Sequence, residues 1–226
     1  MRGLAVILFA RSGVMRSAFN AVGWDAIEVD TAPPQRLGMH WQGSAFDFME
    51  TRMWRAADLA VLHPVCTYLS GSGLHWNKRS HGREACTLWS LDQVRRLFER
   101  VERDRKPAVF ENPVGIIGTK IEPCTQTVQP YQFGDDASKR TCLWMKNGLP
   151  PLTIPARSEW VPGRLVEQSG KTVERWANQT DSGQNRLGPS EERAGMRSET
   201  YPGIAAAIAR QMTAHLEQQL PLLEAA

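Results

Sequence analysis

The four cysteines of this 226-residue chain never fall into a C-x-x-C pair; they stand apart at Cys66, Cys86, Cys124 and Cys142. That spacing speaks against a zinc finger or ribbon and offers no disulfide framework, so no metal is expected. Long apolar runs are missing too. None approaches the ~20 residues needed to span a membrane, and the short run in MRGLAVILFARSG passes straight into a polar turn, as a first strand does and a signal peptide does not. The expectation is a soluble, cytoplasmic protein. Charge of one sign is scarce: the formal net charge is +3 and there is no polybasic tail, an excess that permits nucleic-acid binding without demanding it. The bases between Arg95 and Lys106 are interleaved with Glu99, Glu102 and Asp104, the pattern of a solvated helix face. Internal repeats are absent.

Against these absences, hydrophobic residues make up 42% of the chain, enough for one sizeable core. Eight tryptophans are many for this length; they suit a core first and base stacking second. Leu4 to Phe9 reads as a buried strand. Val14 to Val22 has helical spacing, with Val14, Ala18, Ala21 and Val22 on one side and Gly23 as a stop. Ala26 to Val29 is a second strand and Asp58 to Leu62 a third. Glu84 to Arg105 is a long helix, its stripe formed by Leu88, Leu91, Val94, Leu97, Phe98 and Val101. Ala108 to Phe110 is a fourth strand. Strand and helix in alternation predict an α/β fold, Rossmann-like, with a mostly parallel sheet and helices on both faces.

The whole of 1–226 reads as a single domain. Residues 149–200, rich in Pro, Gly, Gln, Asn and Ser and carrying equal numbers of acidic and basic residues, form an irregular loop or lid. Trp160 and Trp176 favour an ordered one. Residues 201–226 form a C-terminal helix, periodic from Pro202 to Leu216, with Ile204, Ala207, Ile208 and Met212 on one face.

Ligands in such folds bind beyond the carboxyl ends of the strands, and three strand ends carry unusual residues. Phe9-Ala10-Arg11-Ser12-Gly13 joins a strand to a helix and can turn backbone N–H groups to a ligand. His63-Pro64-Val65-Cys66 puts a cysteine just past a buried strand, where it is either an exposed nucleophile or an ordinary buried thiol. His63 is close enough in sequence to act on that thiol, or is structural. Glu111-Asn112-Pro113 puts a carboxylate at the same edge, as a proton-transfer group or as a turn residue.

In order and spacing these strand ends resemble the motifs of DNA cytosine-5 methyltransferases: a Phe-x-Gly-x-Gly-Gly turn, then Pro-Cys, then Glu-Asn-Val. Phe9-Ala10 and Gly13 match the first, Glu28-Val29-Asp30 is similar to the acidic segment holding the cofactor ribose, Asp58 through Cys66 has the family's spacing, and Glu111-Asn112 opens the third. Tyr201-Pro202-Gly203-Ile204-Ala205 looks like the last family motif. Gln129 to Gly134, Thr141 to Trp144, Asn178 to Asn185 and Thr200 to Gly203 are similar to a group of small phage and prophage proteins grouped with cytosine methyltransferases, a likeness over most of the chain.

The resemblance implies a class I methyltransferase-like fold and S-adenosylmethionine as cofactor, bound by Phe9, Ala10, Ser12, Gly13, Glu28 and Asp30. It implies Cys66 as nucleophile at cytosine C6, Glu111 at the N3 edge, Asn112 and Arg140 as substrate contacts, and DNA or a nucleotide as partner. The sequence also departs from the family. Arg11 and Val14 stand at glycine positions, Val65 replaces the proline before the cysteine, Pro113 replaces the valine of Glu-Asn-Val, and Gly43-Ser44 lacks the carboxylate of a Gly-Asp step. Two other functions follow from these departures: a nucleotide- or modified-base-directed enzyme on the same fold, for which Arg11 is the distinguishing feature, and an inactive relative that binds nucleic acid or a protein partner.

Overall fold

In the computed structural model, which describes residues 3–77, 82–187 and 199–224, the core strands are those with the least polar sequence. β1 (Leu4–Leu8), β4 (Leu59–Leu62) and β5 (Ala108–Pro113) are almost wholly buried. Continuous apolar strands of this kind belong inside a parallel sheet covered on both faces. With β2 (Asp25–Asp30), β3 (His40–Gln42), β6 (Gln126–Val128) and β7 (Thr141–Lys146) they form a seven-stranded sheet of order β3-β2-β1-β4-β5-β7-β6. Only β7 runs against its neighbours. The expected α/β, Rossmann-like sheet is therefore present, and its strand order reverses between β1 and β4, the switch point at which such sheets bind ligands.

Alternate residues of each strand feed two cores. Val6, Leu8, Ile27, Val29, Ala60, Leu62 and Phe110 face α2 (Ala45–Phe48), α3 (Arg52–Ala56) and α5 (Arg83–Arg103). Ala5, Ile7, Ala26, Leu59, Val61 and Val109 face α1 (Val14–Ala21) and the C-terminal helix α7 (Pro202–Glu224). Two short helices, α4 (Gly71–Leu74) and α6 (Ile117–Lys120), complete the series. On the first face Phe98 meets both Phe110 and Trp144 edge-on, with centroids 4.4 and 6.2 Å away. Trp54 is fully buried there and donates its indole N–H to Asp104 at 2.6 Å.

Several boundaries and faces differ from expectation. Leu88 is 62% exposed: stepping back four residues from Leu91 and Val94 reaches Thr87 and Ser90, which are the buried positions, so Leu88 lies off the stripe. In α1 the inward residues are Val14, Met15, Arg16 and Phe19, and Ala21 is exposed. The C-terminal helix runs on past Leu216 to Glu224. The segment 149–200, expected to be irregular, holds a hairpin of β8 (Arg164–Gln168) and β9 (Lys171–Arg175), turned by Ser169 and Gly170, both at positive φ. Trp176 stacks on Tyr131 at 3.9 Å and 7°, and Trp160 packs on the same ring, so the two tryptophans tie this segment to the body. Residues 188–198 of the segment lie outside the described residues.

Thr51 caps α3 by accepting from the Trp54 backbone N–H at 3.2 Å. Thr51→Ala is expected to cost about 1 kcal/mol and to lower the melting temperature by roughly 2–4 °C, measurable by calorimetry.

Candidate active site

The carboxyl ends of β1, β2, β4 and β5 open into one cavity of about 390 Å³. Phe9, Ala10, Arg11, Ser12, Asp30, His63, Cys66, Glu111 and Asn112 line it. Phe9 leaves β1 at φ 60°, uncommon for an aromatic residue and the kind of strain found at ligand sites. Its bend starts the turn into α1. Asp30 ends β2 and accepts from the Ala32 N–H at 2.8 Å, which holds its carboxylate at the rim.

Two residues expected to touch a cofactor instead build the wall behind it. Gly13 and Glu28 do not line the cavity; the Gly13 N–H donates to Glu28 Oε1 at 2.8 Å, and Glu28 is fully buried. Burial pushes the Glu28 carboxyl above its ordinary pKa, against the opposing pull of the Gly13 N–H and the Arg16 guanidinium. Arg16, 2% exposed, lies 3.9 Å from Glu28. It donates to the carbonyls of Arg36, Leu37 and Met39 at 3.1, 2.9 and 3.1 Å, which binds the loop after β2 to α1. Its guanidinium fills the space a side chain at position 38 would need, hence Gly38. A buried arginine after a strand-turn motif carried no sequence signal, because spacing alone reads Arg16 as a polar helix position.

Across the cavity, the Cys66 turn is held by the Leu69 and Ser70 N–H groups, each 3.0 Å from the Cys66 carbonyl. Gly73 lets this turn close, since a Cβ there would strike the Thr67 carbonyl. Cys66 is the one cysteine lining the cavity among those described. Cys142, by contrast, is buried, and its thiol is pushed up to about 11, first by burial and then by the neighbouring Cys124 thiol, so it is no nucleophile at neutral pH.

His63 reaches the carboxylate across the cavity. Its Nδ1 lies 2.9 Å from Glu111 Oε2 and 3.5 Å from the Thr200 hydroxyl, and its Nε2 is buried without a hydrogen-bond partner. Burial alone would raise the Glu111 pKa, but the hydrogen bond from His63, the charge of Lys139 and the Thr200 hydroxyl outweigh it and hold the group below the ordinary glutamate value. Asn112 donates to the Pro64 carbonyl at 2.6 Å, tying the β5 end to the Cys66 loop; its Oδ1 is buried without a partner. Arg140 is exposed and outside the cavity wall, which Lys139 lines in its place. One residue of chain reverses the side chain in extended backbone, so the two bases point apart and Lys139 is the one at the cavity. Thr200 and Glu199, also at the wall, come from far along the sequence.

A second cavity of about 620 Å³ opens on the other side of Cys66, Thr67, Pro113 and Lys139, residues common to both. Its described lining includes Arg83, Trp76, Tyr201, Asn178 and Gln179 and no carboxylate. Among the described residues no cluster of His, Cys, Asp or Glu could hold a metal, and no helix is long and apolar enough to cross a membrane. Compared with known proteins, the chain matches no family model and none of the curated proteins.

Proposed function

We propose that the protein is an S-adenosylmethionine-dependent methyltransferase acting on C5 of cytosine in DNA through a covalent Cys66 adduct. The observation that carries this reading is that one cavity at the switch point joins a cofactor-like half, Phe9 to Ser12 with Asp30, to a half bearing Cys66 and Glu111. The class I methyltransferase fold is part of the same reading, supported by the Rossmann-like sheet.

The residues present fit the cofactor. Asp30, at the end of β2, suits ribose hydroxyls; Phe9, Val29 and Ala45 give apolar surface for an adenine; Arg11 is placed to meet a carboxylate. When bound, S-adenosylmethionine supplies an electrophilic methyl group. The chain's own part is to activate the ring. The Cys66 thiolate adds to C6, Glu111 and Asn112 meet the N3 and N4 edge, and the pyrimidine C5 becomes nucleophilic. Once C5 carries the methyl group, its proton passes to solvent, the C5–H pair re-forms C5=C6 and the Sγ–C6 bond breaks to release the thiolate.

Support for a polynucleotide substrate comes from the second cavity, where Arg83 and Lys139 provide cationic charge and Trp76 and Tyr201 aromatic surface, with no described carboxylate to repel phosphates. In duplex DNA the target base would be extruded to reach Cys66. Arg11 in the first cavity favours a second reading, a free nucleotide held where the cofactor is assigned.

Calorimetry separates the two. The wild type is expected to bind S-adenosylmethionine with micromolar affinity, and Asp30→Ala to bind it about 10- to 100-fold more weakly, as loss of charge-assisted hydrogen bonds costs about 1.5–3 kcal/mol. Binding of a nucleotide with none of S-adenosylmethionine would select the second reading.

A further inference from the structure

We propose that the second cavity is a subsite for the nucleotide next to the target cytosine, and that the substrate is therefore single-stranded DNA. The inference rests on the cytosine reading and names the form of DNA that the site accepts.

The two cavities meet at one wall. Cys66, Thr67, Pro113 and Lys139 face both, so a strand whose cytosine lies over Cys66 passes next into the second space. At about 620 Å³ that space falls within the ~300–1,000 Å³ of sites that enclose a small ligand, a size class that includes one nucleotide.

The groups in the wall match the parts of a nucleotide. Trp76 follows α4, its backbone N–H on the Gly73 carbonyl at 3.2 Å, and it is 52% exposed although it lines a concavity. An indole left open in such a wall gives a stacking face to a base of any identity. Arg83, the first residue of α5, lies over the Tyr68 ring at 4.9 Å and gives one N–H to the Gly73 carbonyl at 3.2 Å. A guanidinium carries five such donors in a fixed fork, so the group is held in place with donors to spare for phosphate oxygens. Lys139 stands on the shared wall, its Nζ 3.2 Å from the Glu199 carbonyl and 5.9 Å from the centre of the Tyr201 ring. That position suits the phosphate that links the two nucleotides. The described lining holds no carboxylate to oppose it.

The far wall comes from the segment 149–200. Asn178 donates to the Ser138 carbonyl at 2.9 Å and to the Tyr201 hydroxyl at 3.3 Å, and accepts from the Ser138 N–H at 2.9 Å. Gln179 accepts from the Trp176 N–H at 3.3 Å. These amides fix the wall rather than read a base, so the subsite takes its neighbour by stacking and charge and tolerates any base there.

The demand for a single strand follows. In a duplex the base beside an extruded cytosine is still paired and stacked, and seating it here breaks a second pair. Unpairing and unstacking costs a duplex at least about tenfold in affinity per base, so two bases favour the single strand by about 100-fold.

The test is fluorescence anisotropy at one fixed salt concentration. A labelled single-stranded dodecanucleotide of mixed sequence with one deoxycytidine is compared with the same strand annealed to its complement. A labelled thymidine–deoxycytidine–thymidine trinucleotide is compared with one that is abasic on both sides of the deoxycytidine. Wild type is expected to bind the single strand about 100-fold more tightly than the duplex. It should lose about 10-fold on the abasic trinucleotide, the scale of one base–aromatic stack. Trp76→Ala should bind the intact trinucleotide as weakly as wild type binds the abasic one, with no further loss on the abasic one. Trp76→Phe keeps a ring and should recover most of the difference. Arg83→Gln should weaken single-strand binding and lower its salt slope by about one ion. Should Trp76→Ala fail to fold, the abasic comparison in wild type reads the same contact.

Equal binding of single strand and duplex, or an abasic trinucleotide bound by wild type as tightly as the intact one, would overturn the subsite and leave the cytosine reading standing. A ribonucleotide strand bound about 10-fold tighter than its DNA counterpart would overturn DNA as the substrate in favour of RNA. Single-strand binding that depends on Trp76, with no 5-methyldeoxycytidine formed in the strand on adding S-adenosylmethionine, would keep the subsite and remove the cytosine reading. No binding of any strand would overturn both.

Discussion

Cys66→Ser is expected to abolish formation of 5-methyldeoxycytidine, with a loss on the order of 10⁴-fold or more, the scale on which a covalent nucleophile contributes. A serine hydroxyl in the same turn has a far higher pKa than a thiol, so the C6 adduct does not form. The turn itself should survive, because the Leu69 and Ser70 N–H groups donate to the Cys66 carbonyl, which the substitution keeps. Nucleoside mass spectrometry of DNA incubated with S-adenosylmethionine measures the product. Oligonucleotides with 5-fluorodeoxycytidine measure the adduct: wild type should be trapped on them, because C5 then has no proton to lose, and the variant should not. A Cys66→Ser protein with wild-type turnover would remove covalent catalysis from the mechanism. A wild type without turnover that still binds nucleic acid or a partner protein, and a variant that binds equally well, would point to the inactive-relative function.

Glu28→Ala carries the largest expected loss of stability, about 3–5 kcal/mol, as for breaking a buried ion pair from one side. It strands the Gly13 N–H, which has Glu28 Oε1 as its acceptor, and leaves Arg16 buried without its carboxylate. At roughly 2–4 °C per kcal/mol for a chain of this size, the melting temperature should fall on the order of 10 °C, as scanning calorimetry would show. Glu28→Gln keeps an oxygen for Gly13 and should cost less. Its pH dependence has a definite sign. Because burial raises the folded pKa of Glu28 above its unfolded value, the folded state holds this proton more tightly, and its contribution to stability falls as pH rises from the unfolded pKa through the raised folded one. The Gln variant should therefore lack that decline. Glu111 has the opposite sign: its pKa is lowered, so its contribution is present above the ordinary carboxylate pKa and lost as pH falls through the depressed value. Denaturant titrations of Glu28→Gln and Glu111→Gln across the acidic range separate the two.

The two carboxylates also show how far reading along the chain reaches. Glu28 and Asp30 have the same chemistry and lie two residues apart on one face of β2, and their motif treats them alike. Only the folded sheet distinguishes them: Glu28 is inside, under the Gly13 N–H, while Asp30 is at the strand end where the cavity begins. Lys139 and Arg140 are another such pair, separated by the direction of one peptide.

What the sequence determined by itself was local and periodic. Apolar runs such as Leu4–Leu8 and Leu59–Leu62 demand burial on both faces, and with a long amphipathic helix between the later strands they lead to a parallel sheet with ligands at its carboxyl edge. Cys66 and Glu111 drew attention as reactive or charged groups at the carboxyl ends of buried strands, and Asp30 only through the resemblance of Glu28-Val29-Asp30 to a ribose-holding segment. What only the tertiary structure decided was pairing across distance. His63 meets Glu111 48 residues on, Thr200 reaches the same ring across 137 residues, and Arg16 is drawn inside by three carbonyls of a loop some twenty residues away. Hydrogen bonds of this kind depend on orientation to within a few tenths of an ångström, and nothing in residue type or spacing records which polar group the fold will bring to meet another.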